Sequence, residues 1–264
     1  MSARLGRRGL ARLHDRLRER DIAVIESVAK HRFLTGKQLG RLHFNDHSTP
    51  ATGARVCRDV LARLTKQRLL TRLQRRVGGI RAGSASYVYA LGPVGRRLID
   101  EGSARHVSEP SRTFLEHTLA LADAHLAMIE AASEGGFELI EVEIEPAAWR
   151  RYPNAAGARE TLRPDLYVVS AHDEFEYCWF LEIDRGTEHK PTLLRKCRQF
   201  ATYWRTGIEQ QRSGTFPLIV WVAPDEAREQ EIEAAIRSAR SLKQDLFRVT
   251  TSDRLVELIA GGVG

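Results

Sequence analysis

Cysteine is scarce in this chain. There are three, Cys57, Cys178 and Cys197, among 264 residues, and no two stand in a C-x-x-C spacing. That speaks against a disulfide framework and against a cysteine-based zinc ribbon. Long apolar runs are missing as well, and no stretch reaches the roughly 20 apolar residues that a membrane-spanning helix needs. The opening stretch, MSARLGRRGLARLHDRLRER, is too broken by arginine for the apolar region of a signal peptide. No glycine-rich phosphate loop is present, which argues against an ATPase. These absences predict a cytoplasmic protein in a reducing compartment, with no membrane partner.

Acidic residues are scarce in one half only. Residues 1–110 hold 23 Lys and Arg against 9 Asp and Glu, a balance of +14, whereas residues 111–264 hold 18 against 25, a balance of −7. Halves of opposite sign predict two domains with different partners, and the length suits two cores better than one. We place the first domain at residues 1–102, a linker at 103–111 and the second domain at 112–264. The basic half suits a polyanion, because neutralised phosphates release counterions and drive association.

Along that half, residues 4–20 form an arginine-rich amphipathic run, and residues 21–33 set Ile22, Ile25, Val28 and Ala29 on one helical face. Thr35 and Gln38 have capping-box spacing at the start of a short helix bearing Leu39 and Leu42. Thr49-Pro50 starts the next helix, where proline gives up an N–H that would have no partner. Val56, Val60, Leu61 and Leu64 supply its buried stripe, leaving Thr52, Arg55, Arg58 and Lys66 mostly off it. A basic hairpin follows, residues 69–77 and 86–91, around a glycine-containing tip with Arg81. Three helices and a basic hairpin are the order of a winged helix-turn-helix, whose third helix enters the major groove. Arg55 and Arg58, with Thr52 beside them, are the candidates for base contact. Arg72, Arg75, Arg76 and Arg81 are the candidates for phosphate.

The acidic half reads as a long apolar helix at 112–133, strands at 137–145, 162–170 and 175–184, a helix at 188–205, and then strand, helix, strand and helix to residue 259. That is an α/β domain with a central mixed sheet, and the chain as a whole is α+β. Strand period puts Glu182 and Asp184 on one face, and Asp165 opens the preceding strand. Three carboxylates converging at a sheet edge are a donor set for Mg²⁺ or Mn²⁺, which can activate water against a phosphodiester. The plainer reading is a solvated charge cluster at a strand end. His117 and His125 read as packed or hydrogen-bonded rather than as ligands. The four tryptophans read as core anchors, and Cys178 and Cys197 as unreactive thiols.

Pro164-Asp165 and, seventeen residues on, Glu182-x-Asp184 resemble the core of the PD-(D/E)XK nuclease superfamily. The resemblance implies a restriction-endonuclease-like domain, an acid on the preceding helix (Glu116 here) as a further metal ligand, and a lysine two residues after the second acid. Asp184 stands at the lysine's place. Lys190 or Lys196 on the following helix is the substitute amine that relatives with a migrated lysine imply, beside Asp165 and Glu182 as catalytic acids. Gln199-x-x-x-Tyr203 is similar to the DNA-contacting motif of exonuclease-type members.

A broader resemblance covers nearly the whole chain. The basic winged helix, His117-Thr118-Leu119-Ala120-Leu121, Arg163-Pro164-Asp165 and Leu181-Glu182-Ile183-Asp184-Arg185-Gly186-Thr187-Glu188 are similar to the replication-relaxation family of bacterial plasmids and integrative elements. It implies a role in plasmid replication or copy control. With the lysine's place taken by Asp184, the leading reading is a DNA-binding protein of replication, copy-number control or transfer whose nuclease-like domain has weak or no cleavage. Double-stranded DNA is the implied partner, and replication or conjugation proteins and a second copy of the chain are further candidates. Two alternatives stay open. One is an active Mg²⁺-dependent endonuclease or nickase, the only reading that requires Mg²⁺ or Mn²⁺ as cofactor. The other is a transcriptional regulator with a protein-binding second domain.

Overall fold

The computed structural model describes residues 6–77, 86–99, 109–154 and 156–261, and of residues 75–77 the backbone alone. Its contacts divide the chain into two compact units, Met1–Leu126 and Ala127–Gly264.

In the first unit, α1 (Arg7–His14) and α2 (Glu19–His31) precede a two-residue strand, β1 (Leu34–Thr35). Then come α3 (Gly36–His43), α4 (Pro50–Lys66), β2 (Leu70–Val77), β3 (Ser86–Leu91) and α5 (Pro93–Ile99). The helix starts follow from local chemistry. Thr35 Oγ1 accepts from the Gln38 N–H at 3.1 Å, and Gln38 Oε1 accepts from the Thr35 N–H at 2.8 Å. Thr49 Oγ1 accepts from the Thr52 N–H at 3.2 Å, with Pro50 opening α4. The strands form an antiparallel sheet in the order β1-β3-β2. Val24, Ile25, Val28, Leu39, Leu61 and Leu64 lie in the core beneath it. The inward face of α4 is Gly53, Cys57, Leu61 and Leu64, and Val56 and Val60 are only half-buried. Gly53 is there for close approach, because a Cβ would come within 2.5 Å of the Phe44 carbonyl oxygen.

The long helix α6 (Arg112–Ser133) departs from expectation. Its apolar stripe alone assigns it to the second domain from residue 112, but the division falls inside it, after Leu126. Leu115 and Leu119 pack with Phe33, Leu73 and Val88, and Ala122 joins the core of α2, α3 and α4. Gln38 Nε2 donates to the Leu119 carbonyl at 3.0 Å and to Asp123 Oδ1 at 2.8 Å. An apolar stripe shows that a helix is covered, not by what.

The second unit contains β4 (Glu138–Ile144), β5 (Arg150–Pro153), β6 (Arg159–Leu162), β7 (Leu166–His172), β8 (Phe175–Ile183) and α7 (Lys190–Thr206). It continues with α8 (Ile208–Ser213), β9 (Leu218–Ala223), α9 (Glu226–Ser238), β10 (Phe247–Thr251) and α10 (Leu255–Gly261). Five strands form one sheet in the order β10-β9-β8-β7-β4, parallel from β8 to β10 and antiparallel across β8, β7 and β4. This mixed sheet makes the chain α+β, in line with the sequence. The small β5–β6 sheet and α8 are additions that the sequence pattern does not announce. Tyr167, Val169, Phe180, Ile219 and Trp221 face a core closed by Leu193, Cys197 and Phe200 of α7 and by Ile232, Ala235 and Ile236 of α9.

Candidate functional site

Even-numbered positions of β8 point to that helix-covered face, and Glu182 follows Phe180 on it. Asp165 stands one residue before β7, and the register that pairs Leu166 with Leu181 brings it opposite Glu182. Asp165 Oδ2 accepts from the Ile183 N–H at 2.8 Å. Glu182 is 1% exposed, and its Oε2 accepts from Lys196 Nζ at 2.9 Å. The same ammonium reaches Glu188 Oε1 at 2.6 Å. Burial pushes the Glu182 carboxyl well above the usual carboxylate range. The charge of Asp165 adds to that shift, and Lys196 opposes it. Burial also works against the charge of Lys196, but Glu182, Asp165 and Glu188 together hold it above its ordinary value. The result is an acid–acid–amine cluster beneath α7. Lys190 opens the same helix and is exposed, so Lys196 is the amine that reaches the acids.

Asp184 shares the face of Glu182, as strand period requires, but is tied to a different cation. Arg228 on α9 donates from Nε to Asp184 Oδ2 at 2.5 Å and from Nη2 to the Glu188 carbonyl at 2.5 Å. Among the described residues, Asp165, Glu182 and Asp184 do not bring ligand atoms within 4.8 Å of one another as a trio. Strand period sets a face and not a distance, so the expected three-carboxylate site does not assemble. A carboxylate oxygen of Glu145, just past β4, does lie within 4.8 Å of one on Asp165. The Glu145 N–H also donates to the Asp165 carbonyl at 3.0 Å. Glu145 escapes sequence reasoning because it comes to Asp165 only through the pairing of β4 with β7, Ile144 opposite Leu166. Its one signal is its place at the end of the alternating run that forms β4. Mg²⁺ is usually held by one or two protein carboxylates together with waters and substrate phosphates, and Asp165 and Glu145 are two carboxylates close enough to share an ion. Glu116 lies on the part of α6 that belongs to the first unit and accepts from Arg112 Nε at 2.7 Å.

The Gln199-x-x-x-Tyr203 pair is split by the fold. Gln199 is exposed, whereas Tyr203 is 2% exposed and donates its hydroxyl to Glu209 Oε2 at 2.5 Å. Glu209, on α8, also pairs with Arg150 at 3.3 Å, and Arg150 reaches Glu143 at 2.9 Å. Tyr203 therefore belongs to a buried ion network and is withdrawn from any DNA contact. It is α8 that brings the buried acid to it.

In the first unit, α4 turns Arg55 and Arg58 outward, both exposed. The helix that carries them is clamped. Arg63 grips the buried Asp21 of α2 through two bonds, at 3.1 and 2.6 Å, and Asp21 also accepts from the Arg18 N–H at 3.1 Å. Thr52 is half-buried and its hydroxyl shares a 2.9 Å hydrogen bond with Thr49 Oγ1, so its first role is at the helix cap. Arg72 is exposed on β2 with its guanidinium 4.2 Å from the centre of the Tyr87 ring. Arg75 and Arg76 lie on β2, but their side chains, like the whole of Arg81, fall outside the described residues.

Behind this surface lies a buried histidine pair. His31 Nδ1 is 2.9 Å from the Ser27 carbonyl and must donate to it, so its Nε2 accepts from His125 Nδ1 at 2.9 Å. Burial lowers both histidines, with Lys30 adding to the effect, and His125 is pushed down to about 3. Burial raises the Cys57 thiol to about 11 and the Cys197 thiol to about 12, as befits unreactive core cysteines.

A family model described as replication-relaxation matches residues 25–219, well over half of the chain. The match runs from within α2 to the start of β9. It therefore takes in α4, the Asp165–Glu182–Lys196 cluster and the stretch from Leu181 to Glu188. A search of curated proteins and a search of solved structures each found no match.

Proposed function

The chain belongs to the replication-relaxation family, and we propose on that premise that it is a DNA-binding protein of a plasmid or integrative mobile element. Its role on such an element is in replication, copy-number control or transfer. We read the first unit as a winged helix that lays α4 in the major groove of double-stranded DNA. The supporting observation is the pair Arg55 and Arg58, exposed on a helix whose opposite face is buried and whose position is clamped by Arg63 and Asp21. Guanidinium groups presented in this way match the paired acceptors on guanine edges. The test is gel retardation of labelled duplex fragments from a replicon that encodes the protein, using the wild type and Arg55→Ala/Arg58→Ala. The expected result is a retarded complex with the wild type and loss of fragment selectivity in the variant. Equal selectivity in both sinks the reading of α4.

We read the second unit as a nuclease-like domain without efficient cleavage. Asp184, at the place of the motif's lysine, is paired with Arg228. A second reading, metal-dependent nicking, is favoured by one observation, the Lys196 amine 2.9 Å from Glu182 with Asp165 opposite. In that reading Asp165 and Glu145 would hold Mg²⁺ or Mn²⁺, and the metal would supply Lewis-acid polarisation of a phosphodiester. Lys196 would favour the ionised form of Glu182 and place a positive charge beside the scissile group. Supercoiled plasmid incubated with either metal separates the readings. Nicking by the wild type that disappears in Asp165→Ala/Glu182→Ala establishes the enzyme, and intact plasmid with both metals supports the binding protein.

A further inference from the structure

The acidic half contains one helix with no acid at all. The sequence of α7, KPTLLRKCRQFATYWRT, places five basic side chains in 17 residues. Lys196 is spent on the buried acids. Lys190, Arg195, Arg198 and Arg205 are all exposed, with Gln199 and Thr202 exposed between them. The helix cannot roll these groups inward, because Leu193, Cys197, Phe200 and Ala201 anchor its other side in the core. Arg195, Arg198, Thr202 and Arg205 recur at three- and four-residue steps and so line one face. Arg212 on the following helix, α8, is exposed as well.

We propose that this face of α7 is a second phosphate-binding surface, which takes the backbone of double-stranded DNA without regard to base sequence. Three features favour DNA over an acidic protein. First, α7 carries four exposed cations, Lys190, Arg195, Arg198 and Arg205, and no carboxylate, the charge complement of a phosphate backbone. Second, the groups between them, Gln199 and Thr202, are donors of the kind that bond phosphate oxygens. Third, none of the large apolar side chains exposed in the described residues lies on α7, whereas the centre of a protein interface is apolar and aromatic. The surface also explains why a net-acidic unit keeps a helix free of carboxylates. The inference rests on the chain being a DNA-binding protein, but it does not depend on α4.

The test measures binding of the full chain to a fluorescent duplex of arbitrary sequence across a range of salt. The wild type is compared with Arg195→Ala/Arg198→Ala/Arg205→Ala, with the corresponding triple lysine variant, and with Arg55→Ala/Arg58→Ala. These side chains are exposed, and thermal melts confirm that each variant is folded. Each phosphate contact contributes about 0.9 to the slope of log K against log salt. The triple alanine variant should therefore lose about 2 to 3 from that slope and bind more weakly, while the lysine variant keeps both. An unchanged slope and affinity in the alanine variant overturns the proposal and leaves the surface to an acidic protein. Equal loss in the lysine variant also overturns it, because phosphate charge would then not be what is recognised. Loss confined to Arg55→Ala/Arg58→Ala sinks the α7 surface and leaves the α4 reading standing. Loss confined to the α7 variant does the reverse.

Discussion

Arg228 Nε lies 2.5 Å from Asp184 Oδ2, so a cation from α9 meets the carboxylate that follows β8. Asp184 is buried, and Arg228 is the cation paired with it. Arg228→Ala should lower the stability of the second unit by about 3 to 5 kcal/mol, the usual cost of leaving a buried ion without its partner. A double variant, Asp184→Leu/Arg228→Met, should recover most of that loss. Urea denaturation reads both, and an Arg228→Ala protein as stable as the wild type would contradict the role given to the pair.

The cluster beneath α7 makes a prediction with a sign in pH. The Glu182 carboxyl is raised to about 8, chiefly by burial and then by the charge of Asp165, and Lys196 keeps it from rising further. In Lys196→Ala the carboxyl rises further and Glu182 takes up a proton on folding. The unfolded chain releases that proton above the ordinary carboxylate value, so stability falls as pH rises from there toward the folded value. Both proteins share that loss up to the wild-type value of about 8, so the variant's deficit against the wild type should open above it and be larger at pH 9 than at pH 6. A deficit independent of pH would show that Glu182 is not the group left uncompensated.

The histidine pair runs the other way. His125 is depressed to about 3 and His31 is lowered too, both chiefly by burial. The unfolded state binds protons that the folded state refuses, so stability is full above about 6.5 and declines as pH falls from there toward 3. The melting temperature of the wild type should drop between pH 7 and pH 5 by more than that of His125→Asn. Parallel declines in the two proteins would remove the pair from the account.

Gly53 sets how closely α4 can approach the turn before it. An added methyl group would meet the Phe44 carbonyl oxygen at 2.5 Å, and backbone cannot swing aside as a flexible side chain can. Gly53→Ala should cost about 1 to 3 kcal/mol, despite alanine's better helix propensity. Chemical denaturation gives the value, and a stabilised variant would mean that the approach is looser than described.

What local sequence shows and what it hides separate cleanly on these residues. The starts of α3 and α4 are legible because Thr35 with Gln38, and Thr49 with Thr52, bond across three residues. The shared face of Glu182 and Asp184 is legible because strand period is local. Their partners are not. Lys196 lies 14 residues from Glu182, Arg228 lies 44 from Asp184, and Arg63 lies 42 from Asp21. Those meetings are products of packing. Tyr203 reads from the motif as a DNA contact, and only α8, which brings Glu209 to it, makes it a core residue. Glu145 has no local sign of its neighbour at all, since it takes a strand pairing to bring it to Asp165.

Affinity for duplex DNA as a function of salt tests the central claim most directly. Fluorescence anisotropy of the full chain with a labelled duplex, from about 50 to about 200 mM salt, measures it in one experiment. The expected result is binding that weakens linearly on logarithmic axes with a slope of about −4 or steeper, as several arginine–phosphate contacts require. A chain that fails to bind duplex DNA at low salt, or binds it with a flat salt response, would contradict that claim.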